Sequence, residues 1–142
     1  MSHKRVAIRS AIKDILIAAN TDAGTRVFSG RIDPGFKPEL PAILIYSTEE
    51  TVDREDITKV GLRLRTVQMV IKAAVAVSAK EEAQDQLDDL AEQIEEAIDA
   101  DELLNRTCET VWFDKTEFSL SPGDGENLLA LVNLTYSINY RG

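Results

Sequence analysis

Leu128-Leu129-Ala130-Leu131-Val132-Asn133-Leu134-Thr135-Tyr136-Ser137-Ile138-Asn139-Tyr140 decides the fold of this chain. Leu128, Ala130, Val132, Leu134, Tyr136, Ile138 and Tyr140 alternate with a second set that contains Asn133, Thr135, Ser137 and Asn139. A period of two with one apolar phase is the pattern of a long β-strand buried on one face. Such a strand is expected to hold the C-terminal residues inside a sheet rather than as a loose tail. Just upstream, Ser121-Pro122-Gly123-Asp124-Gly125 is a dense turn signal, and the segment Thr107–Phe118 contains Val111, Trp112 and Phe113. The spacing predicts an antiparallel hairpin between 107–118 and the last strand.

Two segments follow the helical period instead. From His3 to Asn20, Ile8, Ile12, Ile15, Leu16 and Ala19 fall on one face, with Ser2 as the expected N-cap and Asn20–Gly24 as the stop. Ser78-Ala79-Lys80-Glu81 has the form of a capping box, and a second helix is expected from there to Ala100. On it Ala83, Leu87, Leu90, Ala91, Ile94, Ala97 and Ile98 share one arc, opposite the acids between Glu81 and Asp99. A short helical turn at Asp101–Leu104 leads into the hairpin.

Between the helices, a short strand at Arg26–Ser29 precedes a surface loop, Gly30–Pro41, that is rich in proline and glycine. Ala42–Ser47 is nearly all apolar and reads as a buried strand, and Thr48–Thr58 reads as an exposed acidic hairpin loop. Beyond it Val60, Leu62 and Leu64 occupy one phase, while Val67, Met69 and Ile71 occupy the other. Either the strand bulges near Arg65-Thr66, or its second half is covered on both faces. Arg63 and Arg65 point away from the Leu62/Leu64 face, which predicts a solvated or intersubunit side. The sum is an α+β fold: a mixed, largely antiparallel sheet of four to six strands with two main helices packed on it, in one domain over 1–142.

Composition narrows function by exclusion. With 142 residues, 44% hydrophobic and 29% charged, the chain has the make-up of a soluble globular domain with a real core. It contains no apolar run near the roughly 18 residues that cross a bilayer, and Ser2-His3-Lys4-Arg5 does not begin like a signal peptide, so a cytoplasmic site of synthesis and residence is expected. Cys108 is the one cysteine and His3 the one histidine, which leaves no internal disulfide and no multi-cysteine metal site. The net charge of −9 opposes direct nucleic-acid recognition, although Arg63, Arg65 and Lys72 could form a local basic rim. That charge is concentrated. Residues 78–102 hold eleven acids against Lys80, a net of −10, whereas residues 1–37 hold seven bases against Asp14, Asp22 and Asp33. Such polarity suits oriented self-association, or it is simply two solvated faces.

No catalytic pattern emerges. The chain lacks a Gly-rich phosphate loop, a Gly-x-Ser-x-Gly elbow and a His/Glu pair at metal spacing. Asp85, Asp88, Asp89, Glu92, Glu95 and Glu96 share an arc without apolar neighbours and read as a solvated helix face rather than a metal cluster. Asp53-Arg54-Glu55-Asp56 could hold a divalent cation at a subunit boundary, since hard cations take carboxylate oxygens. Cys108 reads as a small core residue and not a nucleophile. Trp112 and Phe113 face opposite ways on a strand, so one is expected in the core and the other against a helix or in an interface. Tyr136 and Tyr140 are expected in the core.

Three blocks carry a family resemblance. Leu134-Thr135-Tyr136-Ser137-Ile138-Asn139-Tyr140 resembles the closing strand of the tail terminator family of long-tailed, lambda-like phages, also called minor tail protein U. Phe28-Ser29-Gly30-Arg31 and Pro41-Ala42-Ile43-Leu44-Ile45-Tyr46, the latter leading into Thr48-Glu49-Glu50, resemble it in the same order. The resemblance implies a non-enzymatic virion protein of the tail, with no cofactor and no metal. It would form a homo-hexameric ring, cap the tail tube protein, terminate tail polymerisation and offer a surface to the head–tail connector, after assembly in the host cytoplasm. A different head–tail completion protein of a phage or prophage is the alternative, and a small metal-dependent enzyme the remote one. The acidic stretch with its basic base, Glu49, Glu50, Asp53, Glu55, Arg63 and Arg65, is the expected interface.

Overall fold

A computed structural model of the chain describes residues 3–30, 40–53, 63–76, 83–101, 103–122 and 128–142. Helix α1 (Lys4–Ala18) precedes β1 (Val27–Ser29), β2 (Ala42–Val52) and β3 (Leu64–Ala76). Helix α2 (Ala83–Asp99), β4 (Thr110–Pro122) and β5 (Leu128–Arg141) complete the order. The strands form one sheet in the order β1-β2-β3-β5-β4, parallel at β1–β2 and antiparallel elsewhere. The mixed α+β architecture expected from the sequence is therefore the one found.

β5 has a partner on each side. Its register with β3 runs unbroken from Leu64 opposite Arg141 to Ala76 opposite Leu129, and β4 pairs along its other edge. Ala130, Val132, Leu134, Tyr136, Ile138 and Tyr140 face the helices and are buried in the main core. The other face is less polar in its surroundings than the alternation predicts. Thr135 is buried there, and Leu129 and Leu131 join Ala74 in a second, small cluster with Leu40.

Both helices lie on the same face of the sheet. α1 packs over β1 and β2, α2 over β3 and β5, and the helices touch each other. α1 buries Ile8, Ala11, Ile12 and Leu16; α2 buries Leu87, Leu90, Ala91, Ile94, Ala97 and Ile98, the arc its periodicity predicts. The α1 cap is His3 rather than Ser2, because the His3 ring nitrogen accepts the Arg5 N–H at 3.1 Å. Ala19, expected on the apolar face, is the exposed C-cap.

The acidic stretch after Ser47 is not a loop from its first residue. β2 continues to Val52 because β3 offers a backbone partner for every position from Glu49 opposite Gln68 to Val52 opposite Arg65. Strand formation here is fixed by pairing at the sheet rim, not by side-chain hydropathy. The bulge expected near Arg65-Thr66 is absent from β3 and sits instead in β2, between Ser47 and Glu49. By skipping Thr48 it turns Glu50 toward the helix layer, opposite Val67. Coverage on both faces is the other alternative, and it holds: Val67, Met69, Ile71, Ala73 and Val75 join the main core, while Val70 and Ala74 are buried on the far side. Arg65 shares the Val67 phase, so it faces the helix layer and not the solvated side predicted for it.

Leu104, Asn105 and Arg106 have left-handed φ of 47°, 57° and 62° as the chain turns from α2 toward β4. For residues other than glycine this conformation is unfavourable, and local bonds hold it. The Asp101 carboxylate accepts the Asn105 N–H, the Leu104 carbonyl accepts the Thr107 hydroxyl, and the Leu104 side chain is fully buried. β4 starts at Thr110 rather than Thr107. It is an edge strand: α2 stops short of covering Phe113 on the helix face, Trp112 opposite Ser137 lies on the uncovered far face, and so both are exposed and neither is core. The remainder of Gly30–Pro41 at 31–39, the Ser78 capping box, Glu55 within 54–62 and the turn at 123–125 lie outside the described residues.

Candidate assembly surface

Glu50 is the best-connected of the residues expected to form an interface. Arg5 of α1 donates to Glu50 Oε2 at 2.7 Å and Arg65 of β3 donates to the same oxygen at 3.0 Å. The Tyr140 hydroxyl of β5 donates to Oε1. Arg65 Nε also donates to the Gly142 carbonyl at 2.9 Å, Lys4 donates to the Arg141 carbonyl, and Arg63 and Gly142 exchange backbone hydrogen bonds. The His3 ring meets Tyr140 edge-on at 6.2 Å. One carboxylate thus ties α1, β2, β3 and β5 together where the first helix meets the end of the last strand.

The electrostatics of this node follow from its contacts. Burial disfavours the Glu50 anion, but hydrogen bonds from Tyr140, Arg65 and Arg5, with the attraction of Arg5, outweigh it and hold the carboxyl below its ordinary range. Tyr140 is raised by burial and by its bond to Glu50, so its hydroxyl stays protonated and donates.

The other expected members separate. Glu49 and Asp53 are exposed at the end of β2, and Arg63 is exposed before β3. Arg65 is satisfied within the subunit, and Glu55 is outside the described residues. Arg63, Arg65 and Lys72 do not form a basic rim, because Lys72 projects from the far face, its ammonium 5.4 Å from the Tyr46 ring centroid. Sequence reading missed Arg5 and Tyr140 as partners of Glu50. The bulge at Thr48 brings the three together, and it leaves no mark in the residue pattern.

A second surface lies at the β4 end of the sheet. Phe113 pairs with Tyr136, and after a bulge at Asp114 the residues Thr116, Phe118 and Leu120 pair with Leu134, Val132 and Ala130. All of these face the helix side, yet Phe118 is 50% and Leu120 68% exposed, because α2 does not extend over them. Phe113 stacks on Tyr136 with ring centroids 5.0 Å apart. Between β4 and the end of α2 lies a cleft of about 360 Å³, lined by Ile98, Asp99, Leu103, Val111, Phe113 and Tyr136. The Tyr136 hydroxyl is buried without a hydrogen-bond partner among the described residues. Burial, then the charges of Glu95 and Asp99, raise its pKa strongly, and Asp99 itself lines the cleft. Glu95 is itself raised by burial and by Asp99 and Glu92.

Among the described residues no three His, Cys, Asp or Glu side chains are grouped to hold a metal ion, and no helix is long and apolar enough to cross a membrane. Cys108 is half-buried before β4, and burial with the charges of Asp101 and Glu109 pushes its thiol up to about 11. A thiol so protonated at neutral pH is a poor nucleophile.

The family model for phage minor tail protein U matches residues 3–140. Among curated protein sequences none matches. A chain of the solved "Virion of native gene transfer agent (GTA) particle" is similar at 13% identity and a TM-score of 0.45, over 94% of each chain.

Proposed function

The chain belongs to the phage minor tail protein U family, and from that premise we propose that it is a structural, non-enzymatic tail protein that ends tail-tube growth. In this reading six copies close into a ring, the ring caps the tube protein at its final length, and its outer side receives the head–tail connector. The observation that carries it is the family match over residues 3–140, nearly the whole chain. The polarity of the molecule supports a ring of identical subunits. α1 carries Lys4, Arg5, Arg9 and Lys13 against Asp14, while α2 carries seven acids and no base. Unlike charged surfaces on one chain suit head-to-tail contacts, the kind that closes into rings.

Glu49, Asp53 and Arg63 are the exposed members of the interface set proposed from the sequence, and they fit contact with the tube or a neighbour. Glu50 and Arg65 fit a different part in it: they fix the rim of the sheet from which those residues project. Electron microscopy of phage lysates tests the reading. Loss of the protein is expected to give tubes of uncontrolled length without heads, and added protein is expected to appear as a six-fold ring on tube ends. Tails of normal length, joined to heads in its absence, would refute it.

A further inference from the structure

The cleft between the end of α2 and β4 combines two unmet requirements. Its walls are largely apolar: Leu103, Val111 and Phe113 line it, and the exposed Phe113 ring lies stacked on Tyr136. Tyr136 lines it too and is only 2% exposed, yet its hydroxyl has no hydrogen-bond partner among the described residues. A buried hydroxyl left unpaired is unfavourable, and a polar group seated beside it relieves that penalty. Charge sets the second requirement. Two acids line the cleft, Asp99 and Glu109. Arg141 already neutralises Glu109 at 3.1 Å, whereas the exposed Asp99 carboxylate has no ion pair among the described residues. Asp99 is also the last residue of α2, where the helix dipole is negative and the final turn carries no base.

We propose that this cleft receives the guanidinium of an arginine side chain from a protein partner. Asp99 takes the charge through charge-assisted hydrogen bonds, and the exposed face of Phe113 stacks on the planar cation. A remaining N–H donates to the Tyr136 hydroxyl oxygen. An ammonium supplies the charge without the flat face, and a neutral apolar group leaves both Asp99 and the hydroxyl unmet. The volume of about 360 Å³ is at the low end for ligand sites and suits a single side chain. The site is complete within one chain, so the inference stands apart from the ring reading.

Titration of the full chain with a blocked alanine–arginine–alanine peptide at constant ionic strength tests it. Methyl NMR signals of Ile98, Leu103 and Val111, all of which line the cleft, supply the readout. Saturable shifts of these signals are expected, with a dissociation constant on the order of millimolar for one isolated side chain. The peptide with citrulline in place of arginine keeps the shape without the charge and is expected to bind at least about tenfold more weakly. A lysine peptide is expected to fall between the two. Asp99→Asn should weaken binding of the arginine peptide by about tenfold, and Tyr136→Phe by several-fold with no loss of melting temperature. Asp88→Asn, on the outer face of α2, should leave binding unchanged. Absence of saturable shifts, or equal binding of the citrulline peptide, overturns the proposal. An Asp88→Asn chain that loses as much affinity as Asp99→Asn overturns it as well, because binding then follows net charge and not the cleft. Equal binding of the lysine peptide overturns the guanidinium assignment, and wild-type affinity in Tyr136→Phe overturns the part given to the hydroxyl. Each of these results leaves the terminator reading to its own test by tail length.

Discussion

Removal of the Glu50 carboxylate tests the central tie of the structure. In Glu50→Ala, Arg5 and Arg65 lose their shared anion, but their side chains are 34% and 22% exposed and can recover water. Arg65 also keeps the Gly142 carbonyl at 2.9 Å. The Tyr140 hydroxyl fares worse, since Tyr140 is 1% exposed and loses its acceptor. A buried donor left unsatisfied costs about 1–3 kcal/mol, and the lost charge-assisted bonds, discounted for exposure, add about 1 kcal/mol. The expected destabilisation is about 2–4 kcal/mol by urea denaturation at neutral pH. Glu50→Gln retains an acceptor for Tyr140 and is expected to cost about half as much. Glu49→Ala, one residue away and exposed, is expected to stay within about 0.5 kcal/mol. The pH dependence has a definite sign. The folded Glu50 carboxyl lies below its ordinary 4.5, so its contribution is complete above that pH and is lost as pH falls through the folded value. Wild type should lose stability below about pH 4.5 more steeply than Glu50→Gln. Equal stability of Glu50→Ala and Glu49→Ala at pH 7 would refute the role assigned to this node.

Other substitutions probe the core and the cleft. Leu134→Ala, beneath the helices and fully buried, is expected to cost about 2–5 kcal/mol, whereas Asp88→Ala or Glu92→Ala on the outer face of α2 should cost under about 0.5 kcal/mol; chemical denaturation compares them directly. Tyr136→Phe removes a buried hydroxyl that has no partner among the described residues, so stability should hold or rise by up to about 1 kcal/mol, and a large loss in the melting curve would mean that the hydroxyl is bonded. Cys108, with its thiol near 11, should react slowly with iodoacetamide at pH 7.5 and rapidly in denaturant; fast labelling of the folded chain would contradict its burial.

The sequence disclosed those parts of the fold in which periodicity and burial coincide. α2 and β5 each bury one face throughout, and both follow their residue pattern. It misled where backbone pairing overrides side-chain character. Thr48–Val52 is polar and acidic, yet β3 recruits it into the sheet, and the bulge at Thr48 decides that Glu50 turns inward. Trp112 and Phe113 carry core-like side chains, but the edge position of β4 leaves them in water. The apolar strip Phe118 and Leu120 was hidden by the second bulge, which shifts the alternation at Asp114. Edge placement and bulges are properties of the assembled sheet, so a single strand's pattern cannot announce them.

The sheet order also dictates when the protein can fold. β5 enters between β3 and β4, both of which are synthesised before it. Until β5 leaves the ribosome, β3 has one bare edge and α2 lacks much of the floor that its apolar arc requires. A nascent chain with α1 through β4 complete therefore has no closed core, and its exposed strand edges are open to neighbouring nascent chains. Contacts such as Lys4 with the Arg141 carbonyl span almost the entire sequence, which places folding on the slow side for a domain of this size. The chain must therefore deliver β5 before its core can close.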